Sequence, residues 1–263
     1  MLLRLLKNLF PRATQSAPPA PAGEDPSKQQ WRVHMRMAQA ALPGPDYLAL
    51  IAQIHRQLKP RTYVEIGVDT GRSLALVSPE TQVLGVDPEP KIKQTPPPNI
   101  RICALTSDEF FARIDVRHEL GDRPVELAFI DGMHRFEFAL RDFIAIERLA
   151  TAQSTVLVHD TYPLDRATAT RERATRFWSG DIWRLVLALK KYRPDLSVHT
   201  LATMPTGLTV IRSLNPASNA LAEKLDEIIA EFMALDYSVL DEDKPAMLNL
   251  AANTPENLQR LLA

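Results

Sequence analysis

Five short apolar runs between Arg61 and Asp160, with helical or turn-rich stretches between them, constrain this chain more than any other feature. They fall at 61–66, 82–87, 99–105, 125–131 and 154–160. Helical signals fit 72–77, 108–118, 135–149 and 182–192, with an earlier helix over 46–58 behind the Pro43-Gly44-Pro45 breaker. Strands alternating with helices build crossover units and a mostly parallel sheet. Two later runs, 196–203 and 208–213, are joined only by Met204-Pro205-Thr206-Gly207, too short for a crossover, so they form an antiparallel hairpin. The expectation is an α/β sheet of seven strands, parallel except for that hairpin, with helices on both faces.

A chain of 263 residues suffices for one such domain with extensions. Its formal net charge of −1 offers no chain-wide field for nucleic acid or anionic lipid. The single cysteine, Cys103, excludes an intramolecular disulfide and reads as a small buried strand residue, in keeping with a reducing, cytoplasmic setting. No stretch approaches the ~20 apolar residues that span a bilayer. At the N-terminus, helical spacing puts Leu2, Leu5, Leu6 and Leu9 opposite Arg4, Lys7 and Asn8. That pattern fits a frayed tail, or a weak membrane-surface or protein contact through residues 1–10. Residues 11–30 are rich in Pro, Ala, Ser and Gln and read as a disordered linker, with order beginning near Trp31. The expected organisation is 1–29 as tail and linker, 30–214 as the domain and 215–263 as a helical extension. In that extension 219–235 is a closing helix and the role of 236–263 is open.

The segment Tyr63-Val64-Glu65-Ile66-Gly67-Val68-Asp69-Thr70-Gly71-Arg72-Ser73 runs off the first strand into a helical turn. Glycines there let the backbone approach a ligand. The second strand ends at Asp87, 20 residues after Gly67 (87 − 67), where nucleotide-binding folds place the acid that accepts from ribose hydroxyls. Loop and acid together point to an adenosine-containing ligand. The stretch Glu65-Ile66-Gly67-Val68-Asp69-Thr70-Gly71 resembles the E-x-G-x-x-x-G motif of class I S-adenosylmethionine (SAM)-dependent methyltransferases. The resemblance implies a Rossmann-like fold with SAM as cofactor. Gly67 and Gly71 would line its methionine part, Glu65 would help position its ammonium and Asp87 would hold the ribose. Ser107 and Asp108 would lie near adenine, although either could instead cap the next helix. A nicotinamide-dependent oxidoreductase is the main rival, weakened because Asp69 occupies the middle-glycine position of G-x-G-x-x-G.

The fourth and fifth strands end in Asp131-Gly132-Met133-His134 and His159-Asp160-Thr161. Ligands of open parallel sheets bind beyond the carboxyl ends of the strands, so these residues converge beside the cofactor. Carboxylates there can chelate Mg²⁺ or another divalent cation, and an imidazole can take a proton from a hydroxyl. The run Phe129-Ile130-Asp131-Gly132-Met133-His134, followed by Phe136-Glu137, resembles the F-I-D-G-x-H-x-[YF]-E signature of a bacterial methyltransferase subgroup. That subgroup is similar to metal-dependent sugar O-methyltransferases. The resemblance implies Asp131 and Asp160 as metal ligands, His134 as general base, and a small-molecule or glycan acceptor. Where those relatives carry an acidic pair, this chain has His159-Asp160, so either the chain binds no metal there or His159 substitutes as a nitrogen ligand.

Three further readings concern the segment beyond. Asp181 is expected to cap the helix that follows it, and Trp183 to join Ile182, Leu185, Val186 and Leu189 in the core. Arg166, Arg171, Arg173 and Arg176 form either a solvated helix face or a lid that steers an anionic substrate. A catalytically silent adaptor on the same fold is the other rival. Nothing in the sequence fixes the oligomeric state.

Overall fold

The computed structural model describes residues 25–263, so the two-faced N-terminal segment and most of the expected linker lie outside the described residues. Eight strands form one sheet in the order β3-β2-β1-β4-β5-β7-β6-β8. They are β1 (Thr62–Ile66), β2 (Gln82–Val86), β3 (Ile100–Cys103), β4 (Leu127–Ile130), β5 (Thr155–His159), β6 (Ser197–Leu201), β7 (Leu208–Arg212) and β8 (Leu250–Ala251). The first five are mutually parallel; β7 runs antiparallel to β6, as the hairpin spacing requires, and also to β5.

The eighth strand corrects the expectation of seven. β8 pairs parallel with β6 through Thr200–Leu250 and Leu201–Ala251. Asn249 fixes it there: its amide donates to the Val198 carbonyl (2.8 Å) and its oxygen accepts from Lys190 Nζ (2.8 Å). Two residues carry no readable period, so the tertiary partner decides.

The first helix, α1 (Pro26–Ala41), starts inside the stretch expected to be disordered. The Asp25 carboxylate accepts from Ser27 N (2.9 Å) and Pro26 opens the first turn, an N-cap signal hidden by the linker composition. α1 buries His34 and Ala38. The second, α2 (Tyr47–Leu58), is capped by Asp46 and buries Leu50, Ile51 and Ile54. The helix expected at 72–77 is only a 3₁₀ turn over Leu74–Leu76, since Val77 is extended and Pro79 follows. That expected at 108–118 is broken into α3 (Ser107–Arg113) and α4 (Val116–Glu119), because Asp115 leaves the helix to cap α4. α5 (Phe136–Leu149) and α6 (Trp183–Tyr192) match their expected spans within a residue. The closing helix is shorter, α7 (Leu225–Met233), followed by α8 (Lys244–Met247) and α9 (Pro255–Leu262).

Strand residues alternate between two cores, as the period-2 pleat dictates. Val64, Ile66, Ala128, Ile130, Val156 and Val158 pack with α5 and α6, and Trp183 joins them as expected. Tyr63, Leu127, Phe129 and Leu157 face the other way, against α2 and Leu258, Leu261 and Leu262 of α9. Each such fully buried side chain contributes roughly 1.5–3 kcal/mol. Cys103 is buried at the end of β3, as expected.

Between β5 and α6, residues 160–182 form turns rather than the helix that would have aligned the arginines. Side-chain bonds hold those turns. Thr168 Oγ1 accepts from Leu164 N (2.9 Å), and Trp178 Nε1 donates to the Thr170 carbonyl (2.5 Å).

Candidate functional site

The chain runs from β1 outward through β2 and β3 and returns to β4 on the other side of β1, which makes a switch point between β1 and β4. Open sheets bind ligands there. A cavity of about 650 Å³ opens at that point, bordered by Gly67, Asp69, Asp87, Ser107, Asp131 and His134, among others. Gly67 has φ 91°, and a Cβ on it would collide with the Asp131 backbone carbonyl. Only glycine allows the two strand ends to meet, where Asp131 N donates to the Ile66 carbonyl (2.8 Å).

Asp87 faces this cavity while accepting from Asp69 N and Glu89 N, both at 2.8 Å. Ser107 and Asp108 border it as well. Neither caps α3, because Thr106 and Glu109 form a capping box, and Asp108 pairs with Arg141 (3.0 and 2.9 Å). Glu65 stands behind the cavity, fully buried, its two oxygens accepting from Tyr63 OH (2.7 Å) and Ser73 Oγ (2.5 Å). Burial pushes its carboxyl up to about 7 against those hydrogen bonds. Gly71 borders the neighbouring groove beside Ile92. Gly67, Asp87, Ser107 and Asp108 are thus brought together on one cavity, with Glu65 and Gly71 set back from it.

At the other end of the cavity two carboxylates and two imidazoles interlock. His134 Nδ1 lies 3.0 Å from Asp160 Oδ2 and its Nε2 3.5 Å from Asp131 Oδ1. His159 Nδ1 approaches the same two oxygens at 3.2 and 3.4 Å from the buried side. The 3.0 Å approach of His134 is not a hydrogen bond, because Nδ1 is off-line and has no hydrogen-bond partner among the described residues. Asp131, His134 and Asp160 offer ligand atoms all within 4.8 Å of one another, a spacing that suits a shared cation. Burial works against charge at all four groups, but their mutual attraction outweighs it. His134 is raised to about 9 and His159 to about 10, while both aspartates fall below the usual carboxylate range. Thr161, expected beside this cluster, turns away, and its oxygen accepts from Thr209 Oγ1 (2.8 Å).

Distant residues hold the cluster. His134 stacks on Trp178 (centroids 4.9 Å, 15°) and His159 on Tyr47 (4.1 Å, 30°). Thr206 donates to Asp160 Oδ1 from the β6–β7 turn. Both His134 and Asp160 have left-handed backbone, φ 54° and 60°. Asp181 does not cap the helix that follows it. Its buried carboxylate accepts from Phe136 N (2.7 Å), the first amide of α5, and pairs with Arg171 (2.6 Å) and Arg184 (3.0 Å). Tyr47, which stacks on His159, and Asp142, which borders the cavity from α5, gave no local sequence signal.

Residues 64–161, which run from β1 through β5, match a family model described as a methyltransferase domain. No curated protein matches the chain. Among solved structures, the cofactor-bound Rv0187 from MTB is 16% identical, with 74% of this chain and 92% of that one covered and a TM-score of 0.50, which shows a shared fold. Also similar is the O-methyltransferase TomG from Streptomyces achromogenes, involved in tomaymycin synthesis and solved in complex with SAM (16% identity, 73% and 91% covered, TM-score 0.49). The O-methyltransferase from Bacillus cereus, in complex with SAH (S-adenosylhomocysteine), is 13% identical, with 72% and 91% covered and a TM-score of 0.48.

Proposed function

We propose that this chain transfers a methyl group from SAM to an oxygen of a small hydroxylated metabolite or glycan. One observation carries the reading: Gly67, Asp87 and Ser107 share a single cavity with Asp131 and His134. In this reading Asp87 accepts from the ribose hydroxyls with the lone pairs left by its two amide bonds, and Ser107 and Asp108 border adenine. Gly67 lets the backbone approach the methionine part, and Glu65 and Gly71 support that loop from behind. When bound, SAM supplies an electrophilic methyl group on a sulfonium. The protein's work is then to align the acceptor oxygen and remove its proton.

His134 is the base in this proposal, because it faces the cavity and its Nε2 is held by only a long contact with Asp131. Of the clustered Asp131, His134 and Asp160, the two carboxylates would hold a divalent cation, with His159 Nδ1 as a nitrogen donor from the buried side and His134 left as the base. When bound, such a cation would lower the pKa of an acceptor hydroxyl. Such a cation would also offset the carboxylate charge that keeps His134 protonated, leaving its imidazole free to accept a proton.

Transfer of labelled methyl from SAM to a panel of hydroxylated acceptors tests the proposal. Activity that falls in His134→Ala while SAH still binds is expected. Undiminished activity in that variant contradicts the role of His134.

A further inference from the structure

Several cations at or near the cavity are neutralised. Lys91 pairs with Asp69 (3.1 Å) and Arg141 with Asp108 (2.9 Å). In the segment over the cavity, Arg166 is taken by Asp236 (2.6 Å), and Arg171 by Glu137 (2.7 Å) and Asp181 (2.6 Å). Two guanidiniums that border the cavity, Arg72 and Arg173, have no carboxylate partner among the described residues.

Their placement is paired. Arg173 lies over the Trp178 ring (6.0 Å), and that ring stacks on His134. Arg72 lies within electrostatic reach of Tyr47, whose ring stacks on His159. Arg173 thus stands beyond the ring that covers His134, while Arg72 borders the same cavity as Tyr47, the ring that covers His159. Of the carboxylates bordering the cavity, only the exposed Glu89 has no pairing or burial to occupy it, and it forms no ion pair with either arginine. Asp69 and Asp108 are paired, Asp87 is satisfied by amides, Asp131 by imidazoles, and Asp142 is buried in α5. A guanidinium left unpaired at a cleft matches an oxyanion bidentately.

We propose that Arg72 and Arg173 grip an anionic group, a carboxylate or a phosphate, on the methyl acceptor, which makes the acceptor class hydroxylated acids or phosphate esters. The inference rests on the reading that the acceptor enters this cavity. It narrows the solvated-face or lid alternatives for the arginine-rich segment to one residue of that segment, joined by one from the Gly67 loop.

The test is calorimetric titration of the full chain with inorganic phosphate and, separately, with acetate, each with and without saturating SAH. Both arginines are exposed, so Arg72→Ala and Arg173→Ala should melt as the wild type does. Each single variant is expected to weaken the preferred anion up to about fivefold, the scale of one partly exposed charge pair. The double variant should bind neither anion. Whichever anion the wild type prefers identifies the acceptor's group. No anion binding by the wild type, or equal binding by the double variant, overturns the inference. Loss of SAH affinity in Arg72→Ala would assign that guanidinium to the cofactor and overturn the paired grip. If SAH does not bind but phosphate binds through both arginines, the methyl-transfer reading fails and the anion site stands.

Discussion

Gly180 and the His134 carbonyl approach so closely that a Cβ on Gly180 would collide with it, and Gly180 holds φ 61°. Asp181 N donates to that same carbonyl (3.3 Å), so the turn before α6 sets the position of His134 from 46 residues away (180 − 134). The Gly180→Ala variant is expected to lose about 1–3 kcal/mol of stability through backbone strain. Methyl transfer should fall more than tenfold, while SAH affinity stays within about twofold, because the cofactor end of the cavity lies elsewhere. Urea denaturation and SAH titration separate the two effects.

Asp181 is a second long-range support, and its carboxylate is fully buried between Arg171, Arg184 and the first amide of α5. Removing it leaves the Phe136 amide without its acceptor and two guanidiniums without their buried counter-charge, although Arg171 keeps Glu137 and Arg184 keeps the Phe232 and Leu235 carbonyls. Asp181→Ala is expected to cost about 3–5 kcal/mol, and Asp181→Asn less, because an amide oxygen can still accept from Phe136 N. Equilibrium unfolding of the two variants checks the order, and equal stability of Asp181→Ala and wild type would contradict it.

These two supports show what could be read from the chain and what could not. The Gly67 loop, Asp87, Asp131, His134 and the β6–β7 hairpin are local patterns, in which strand, turn and residue type lie within one run of sequence. Asp181 looked like a cap for its own helix because a short-range rule applies to any acid before a helix, but tertiary contact sent it to α5. Trp178 over His134 and Tyr47 over His159 join residues far apart in sequence, which no periodicity records. β8 was illegible for a different reason: it is two residues long and exists through its pairing with β6. α1 was misread from composition, although Asp25-Pro26 carried the cap.

Glu65 gives the fold a pH dependence. Its carboxyl is held at about 7 in the folded chain, chiefly by burial, against an ordinary value of 4.5. Below 4.5 both folded and unfolded chains keep the proton. Between 4.5 and 7 the unfolded chain ionises and the folded one does not, so this contribution to stability is lost as pH rises. Glu65→Gln keeps an oxygen to accept one of the two hydroxyls and cannot ionise. Its melting temperature should therefore fall less than that of the wild type between pH 5 and pH 8 (roughly the window of the shift). Parallel melting curves would count against this assignment.

Asp131 and Asp160 present their oxygens to His134 and His159 at the ends of β4 and β5. If they hold a cation, calorimetric titration with Mn²⁺ should show binding that falls at least about tenfold in Asp131→Asn and in Asp160→Asn. Chelation should abolish methyl transfer and leave SAH binding intact. Full activity of a metal-free preparation would remove the cation from the account and leave His134 as base alone.

The most direct measurement is calorimetric titration of SAH, and in parallel NAD, into the wild-type chain and Asp87→Ala. Asp87 borders the cavity and braces the loop through Asp69 N and Glu89 N. The expected result is one SAH per chain, no NAD, and SAH affinity at least about tenfold weaker in Asp87→Ala, the scale of a lost charged hydrogen bond. Binding of NAD in place of SAH, or SAH affinity unchanged in a folded Asp87→Ala, would contradict the account.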